Sequence, residues 1–213
     1  MKMQVKLFLL MAPLVALMGC PAKKPPAEAA PTNGRVMIAD VNTITGNACP
    51  LCSRPLFACA VEPRGPDAFS DALGSVFYAK GFEIVKGRVP ASSAGGNPTV
   101  AQYLELANKL NAKYLVAPEL YCWRERKGNA AAASEPAEVG FHLHIFDPAT
   151  GKETWGGDFH EQQQPLNENI LAIGQFAKRG GKWITADELA REGIEKLIDQ
   201  FLKARENAAN PGN

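Results

Sequence analysis

The chain has 213 residues, 46% of them hydrophobic, and a formal net charge of +1. That length fits one domain plus extra segments, and the apolar fraction is enough to bury a core. The balanced charge gives no electrostatic footprint for nucleic acid, which usually shows as a strongly basic face, so no nucleic-acid partner is expected.

In chain order, Lys2 and Lys6 form a basic start, and Leu7–Met18 is an apolar run of twelve residues. A helix crossing a ~30 Å hydrocarbon core needs about 20 residues, so the run has the length of a signal-peptide core instead. It ends in Leu17-Met18-Gly19-Cys20. This resembles the lipobox of bacterial lipoproteins, with Met18 at the tolerant position. The resemblance implies cleavage before Cys20, a diacylglycerol on its sulfur and acylation of the new amine, which together anchor the chain to a membrane. Pro21 stands where Asp would signal inner-membrane retention, so the resemblance implies the periplasmic side of an outer membrane. Loss of residues 1–19 removes Lys2 and Lys6, leaving 21 basic against 22 acidic residues and a net charge of −1. Residues 20–34 carry Pro21, Pro25, Pro26 and Pro31 and no large apolar side chain. They read as a semi-extended tether.

The rest, residues 35–205, reads as one α/β domain with a mixed sheet, and 206–213 as a disordered tail. Arg35–Val41 is a strand. Residues 42–65 have no period and read as a long loop of the kind that is functional or stapled. Pro66–Lys80 is a helix with Phe69, Ala72, Leu73, Val76 and Phe77 on one face. Phe82–Lys86 is a strand. Asn97 is placed to cap a helix beginning at Pro98. Tyr114–Trp123 is apolar on both faces and therefore central, with Pro118 suggesting a bulge or local edge.

Residues 128–137 read as a flexible loop. Val139–Phe146 alternates, with Val139, Phe141, Leu143 and Ile145 on one face. Asp147–Gly151 is a turn, and Lys152–His160 returns. Pairing Leu143 with Trp155 and Val139 with Phe159 makes one face apolar. Asn167–Arg179 is a helix stopped by Gly180 and Gly181. The last helix is announced by Thr185 and Glu188 as a capping box and by Ile184 and Leu189 as its staple. The order β-α-β-α-β-β-β followed by two helices favours parallel or mixed pairing of the first three strands and a hairpin at the end.

Lipobox, spacer and element order together resemble envelope lipoproteins of the curli-secretion (CsgG-like) and penicillin-binding-protein-activator (LpoB-like) type. Residues 112–120, Ala-Lys-Tyr-Leu-Val-Ala-Pro-Glu-Leu, look like the lead into the central strand. Residues 146–155, Phe-Asp-Pro-Ala-Thr-Gly-Lys-Glu-Thr-Trp, look like the hairpin turn before a tryptophan. The likeness spans about residues 35–160. It implies a non-enzymatic scaffold with an envelope protein partner, a homo-oligomer among the options, and it supplies no catalytic residue and no cofactor. The chain departs from it in the cysteine-rich insert at 49–59 and in the C-terminal helices.

Besides the lipidated Cys20, the mature chain carries four cysteines: Cys49, Cys52, Cys59 and Cys122. In an oxidising compartment they are expected to pair, with three connectivities open. A bridge from the loop to Cys122 would pin the loop to the sheet. A four-thiolate zinc site has the first C-x2-C pair but lacks the second. A redox-active pair wants its first cysteine at a helix N-terminus, and Pro50, Pro55 and Pro63 oppose a helix there.

His142 and His144 share a strand face and could offer two imidazoles to a metal. His160 falls too far along the expected register to join them, so the set reads as a polar stripe with no metal assigned. Glu119, Asp147, Glu153 and Asp158 lie on or near the hairpin without a spacing that specifies acid–base work. Trp123, Arg124 and Arg126 have the composition of a partner-binding hot spot, or of a core Trp beside solvated arginines.

Overall fold

The computed structural model describes residues 32–57, 59–87, 89, 98–163 and 177–210. The apolar N-terminal segment, Cys20, Asn97 and most of the expected helix at 167–179 lie outside them.

Strand β1 (Gly34–Ile38) runs parallel to β3 (Phe82–Val85) on one side and to β4 (Tyr114–Arg124) on the other. The two-residue β2 (Asn42–Thr43) continues the line of β1 along β4. On its other side β4 is antiparallel to β7 (Glu138–Phe146), which is antiparallel to β8 (Glu153–Gln162). The mixed sheet therefore has the order β3-β1-β4-β7-β8 with β2 beside β4. Helices α1 (Gly65–Ala79) and α2 (Val100–Lys109) form the crossovers that make the first strands parallel.

The two faces of the sheet are covered differently. One face packs against α1 and α3 (Ala186–Ala209). Its core joins Phe69, Leu73 and Phe77 of α1 and Leu189, Ile194 and Phe201 of α3 to Val36, Leu120, Phe141, Leu143, Ile145 and Phe159. On the opposite face α2 lays Tyr103 and Ala107 over Met37, Leu115 and Ala117. No helix covers the rest of that face among the described residues. A segment between β2 and α1 folds over it instead, packing Ile44, Cys49 and Leu56 on Tyr121 and Cys122.

This insert starts and ends on the same edge of β4. The Ile44 amide donates to the Leu120 carbonyl (2.8 Å), and the Cys59 amide to the Tyr121 carbonyl (3.2 Å). Between them the chain makes a narrow turn, with the Cys49 amide on the Arg54 carbonyl and the Ser53 amide on the Cys49 carbonyl. A disulfide joins Cys59 to Cys122 where the insert returns.

Several boundaries differ from the sequence reading. The apolar alternation holds, but the β7–β8 register is two residues off: Ile145 faces Trp155 and Phe141 faces Phe159, with a bulge between Ile145 and Phe146. Slipping a strand by two residues keeps the same side chains on the same face, so hydrophobic pattern alone does not choose between the two pairings. The longer turn does: the Asp147 amide bonds the Lys152 carbonyl, keeping Lys152 out of the strand.

The bulge in β4 falls between Leu120 and Cys122 rather than at Pro118, which sits in register with Leu143. It puts Tyr121 and Cys122 together under the insert. Helix α2 is capped by Thr99, whose hydroxyl accepts from the Gln102 amide while Gln102 bonds back to the Thr99 amide. The expected loop at 128–137 contains a two-stranded ribbon, β5 (Lys127–Gly128) with β6 (Ala133–Glu135). Helix α3 has the Thr185–Glu188 box and continues through Ala209, into the segment expected to be a disordered tail.

Candidate functional site

The alternation of β7 determines which residues the insert covers. Val139, Phe141, Leu143 and Ile145 enter the helix-side core, so His142 and His144 face the insert. Both are 3% exposed, which corrects the expectation of a polar stripe on the surface. Facing them is the turn Cys49-Pro50-Leu51-Cys52. The Cys49 sulfur lies 3.3 Å from His144 Nε2. The Cys52 sulfur lies 3.8 Å from His142 Nδ1. Cys49 and Cys52 are free thiols, the first buried and the second exposed. Two sulfurs and two ring nitrogens, one from each residue, all fall within 4.8 Å of one another.

The surroundings set the chemistry of these groups. Burial pushes the Cys49 thiol up, opposed by hydrogen bonds from the Cys52 and Leu51 amides. Burial pushes His142 down, with Asp158 opposing and His144 and Arg54 adding to the shift. A buried neutral imidazole carries one N–H and one lone pair. For His144 the far nitrogen, Nδ1, is held 2.9 Å from Glu153 Oε1. That carboxylate reaches the ring over Gly156: a Cβ there would stand 2.5 Å from Glu153 Oε1.

His160 is not part of this group. It lies opposite Gly140, its Nε2 is 2.9 Å from Glu138 Oε1, and its ring stacks on Phe57. The other acidic candidates are engaged singly. Asp158 pairs with Arg54 at the edge of the insert. Asp147 accepts from the Ala149 amide and the Thr150 hydroxyl within the hairpin turn. Glu119 is buried at a cleft of about 550 Å³ between the insert and α2, and accepts from Asn42 Nδ2 at 2.6 Å. Burial raises its carboxyl to about 7 despite that hydrogen bond. Across the cleft the Tyr103 hydroxyl donates to Asp40 at 2.6 Å.

The structure does not support a hot spot at Trp123, Arg124 and Arg126. Trp123 is buried against Phe69, and the start of α1 touches its indole so closely that a Cβ on Gly65 would lie 2.7 Å from Cγ. Arg124 pairs with Glu138, and Arg126 donates to the Trp183 carbonyl. The bridge of Cys59 to Cys122 leaves Cys49 and Cys52 unpaired, so the expected second disulfide is absent. Sequence reasoning treated the cysteines and the histidines as two incomplete sets. The signal for joining them was a C-x2-C and an H-x-H, each supplying two donors on one side of a turn or strand.

No family model matches this chain, and no curated protein does either. Solved structures similar to it include the PelC dodecamer from Paraburkholderia phytofirmans, with a TM-score of 0.46 and 13% identity over 80% of this chain and 87% of that one. Lipoprotein GNA1162 from Neisseria meningitidis gives 0.41 and 10%, over 68% and 91%. The LpoB C-terminal domain from Escherichia coli gives 0.37 and 15%, over 64% and 88%. Superpositions this loose say nothing of what the chain binds.

Proposed function

We propose that this chain is a bacterial envelope lipoprotein, anchored through lipid on Cys20 to the periplasmic side of the outer membrane, which binds or scaffolds an envelope protein and catalyses no reaction. The observation that carries the reading is Leu17-Met18-Gly19-Cys20 closing a twelve-residue apolar run, followed at once by a Pro-rich spacer. The Cys59–Cys122 disulfide supports it, because such bridges persist in oxidising compartments. So does the commitment of Glu119, Asp147, Glu153 and Asp158 to separate structural partners. Phe57, 81% exposed on the insert, supplies an apolar contact beside His160.

Intact mass of the detergent-extracted chain, with fractionation of a Cys20→Ser variant, tests the anchor. The expected chain begins at Cys20 with added acyl mass, and the variant leaves the membrane fraction. An unmodified N-terminus, or a variant that stays in the membrane, overturns the anchor. A photocrosslinker at position 57 tests the binding role in living cells. A discrete adduct with an envelope protein is expected, and no adduct, or one only with a second copy of the chain, overturns it.

A further inference from the structure

The four side chains that meet beneath the insert have a donor set, geometry and surroundings suited to a metal. Zn–S bonds of ~2.3 Å and Zn–N bonds of ~2.0–2.1 Å in a tetrahedron place neighbouring sulfur and nitrogen ligands roughly 3.6 Å apart. The Cys49–His144 and Cys52–His142 separations of 3.3 and 3.8 Å bracket that value. Two thiolates and two imidazoles are a donor set that structural zinc sites use in tetrahedral coordination. We propose that Cys49, Cys52, His142 and His144 bind a single zinc ion that clasps the insert to β7.

Charge and hydrogen bonding agree with this assignment. Binding releases a proton from each thiol, and the dication with two thiolates and two neutral imidazoles has no net charge. A neutral centre is the form least penalised by burial among Ile44, Leu56 and Tyr121. His144 presents Nε2 to the ion because Glu153 holds its Nδ1, the carboxylate–histidine arrangement that fixes ring orientation behind a metal. Ser53, at φ 58°, turns the chain sharply just after the second cysteine.

With four protein ligands the centre has no open position, which makes it structural rather than catalytic. Cys52 is the solvent-exposed member of the set. The inference goes beyond the anchored-scaffold reading and does not depend on it.

The test is elemental analysis of the full chain extracted in detergent, as isolated and after reduction and zinc addition, followed by competition with a chelator. One zinc per chain is expected. Cys52→Ser and His144→Gln should each weaken binding by more than the roughly 10–100-fold that follows loss of a hydrogen-bond partner behind a ligand. His160→Gln, outside the cluster, should bind as the parent does. Because Cys52 is exposed, its serine variant tests the ligand set without opening the core, and circular dichroism checks its fold. Cobalt substitution adds an independent reading: the parent should show tetrahedral ligand-field bands, and the Cys52→Ser variant should lose about half the thiolate charge-transfer intensity. Zinc-free protein with Cys49 and Cys52 recovered as a disulfide, copper in place of zinc, or undiminished affinity in both ligand variants would each overturn the assignment.

Discussion

Single side chains at the centre of this sheet are governed more by burial than by charge partners. Glu119 is the clearest case. Its carboxyl titrates near 7 in the folded chain against a usual value of 4.5. Between those values the folded state holds a proton that the unfolded state has released, so stability falls as pH rises from about 4.5 to about 7 and is level above. Glu119→Gln keeps an acceptor for Asn42 and removes the titration. Urea unfolding should show the variant matching the parent near pH 4.5 and exceeding it above pH 7; parallel curves across that range would mean that Glu119 ionises freely in the fold. At this scale the sequence was informative about residue types and poor about neighbours. His142 and His144 were placed correctly on one strand face, yet which side of the sheet the insert would cover depends on contacts tens of residues away. Trp123 shows the converse: its burial comes from Gly65 and Phe69 pressing on it from α1, and its place at the end of a central strand beside two arginines left both a core and a hot-spot reading open.

Among elements, the insert and α3 are held by different means. Helix α3 combines a capping box with an apolar stripe, both local signals, and its start was legible for that reason. The insert has few apolar side chains and relies on crosslinks. The Cys59–Cys122 bridge spans a sequence separation of 63 residues, which the chain-entropy relation values at about 4 kcal/mol. Replacing both cysteines by alanine should lower the unfolding free energy by about that amount in denaturant titrations without reductant. A loss below about 1 kcal/mol would show that the backbone ladder from Cys59 to Glu62 already fixes the return of the insert. Elements lost in the sequence reading share a cause. The two-residue β2 and the β5–β6 ribbon are too short to show a period, and the hairpin register was set by turn hydrogen bonds that hydrophobicity does not encode.

Across the whole molecule, the sheet separates a helix-covered core from a smaller one under the insert. The two are expected to respond separately to metal removal. Hydrogen exchange on the full chain should show amides in residues 45–57 losing protection when a chelator is added, with α1 and α3 unchanged. Protection lost equally on both faces would mean that the insert and the helical core unfold as one unit. The overall α/β class and mixed sheet followed from element order, since helical crossovers demand parallel neighbours and a tight turn demands an antiparallel one. The division of one face between α2 and an irregular segment did not follow, because that segment carries no periodic pattern to read.

The insert leaves β4 at Leu120 and rejoins it at Tyr121, consecutive residues of a single strand. The excursion therefore has the form of a cassette: its two ends are already neighbours, so the sheet order does not depend on its length. The ladder on either side would stay in register if the cassette were shortened to a tight connection or exchanged for another. A surface can thus be rewritten on this scaffold by editing one contiguous stretch of sequence.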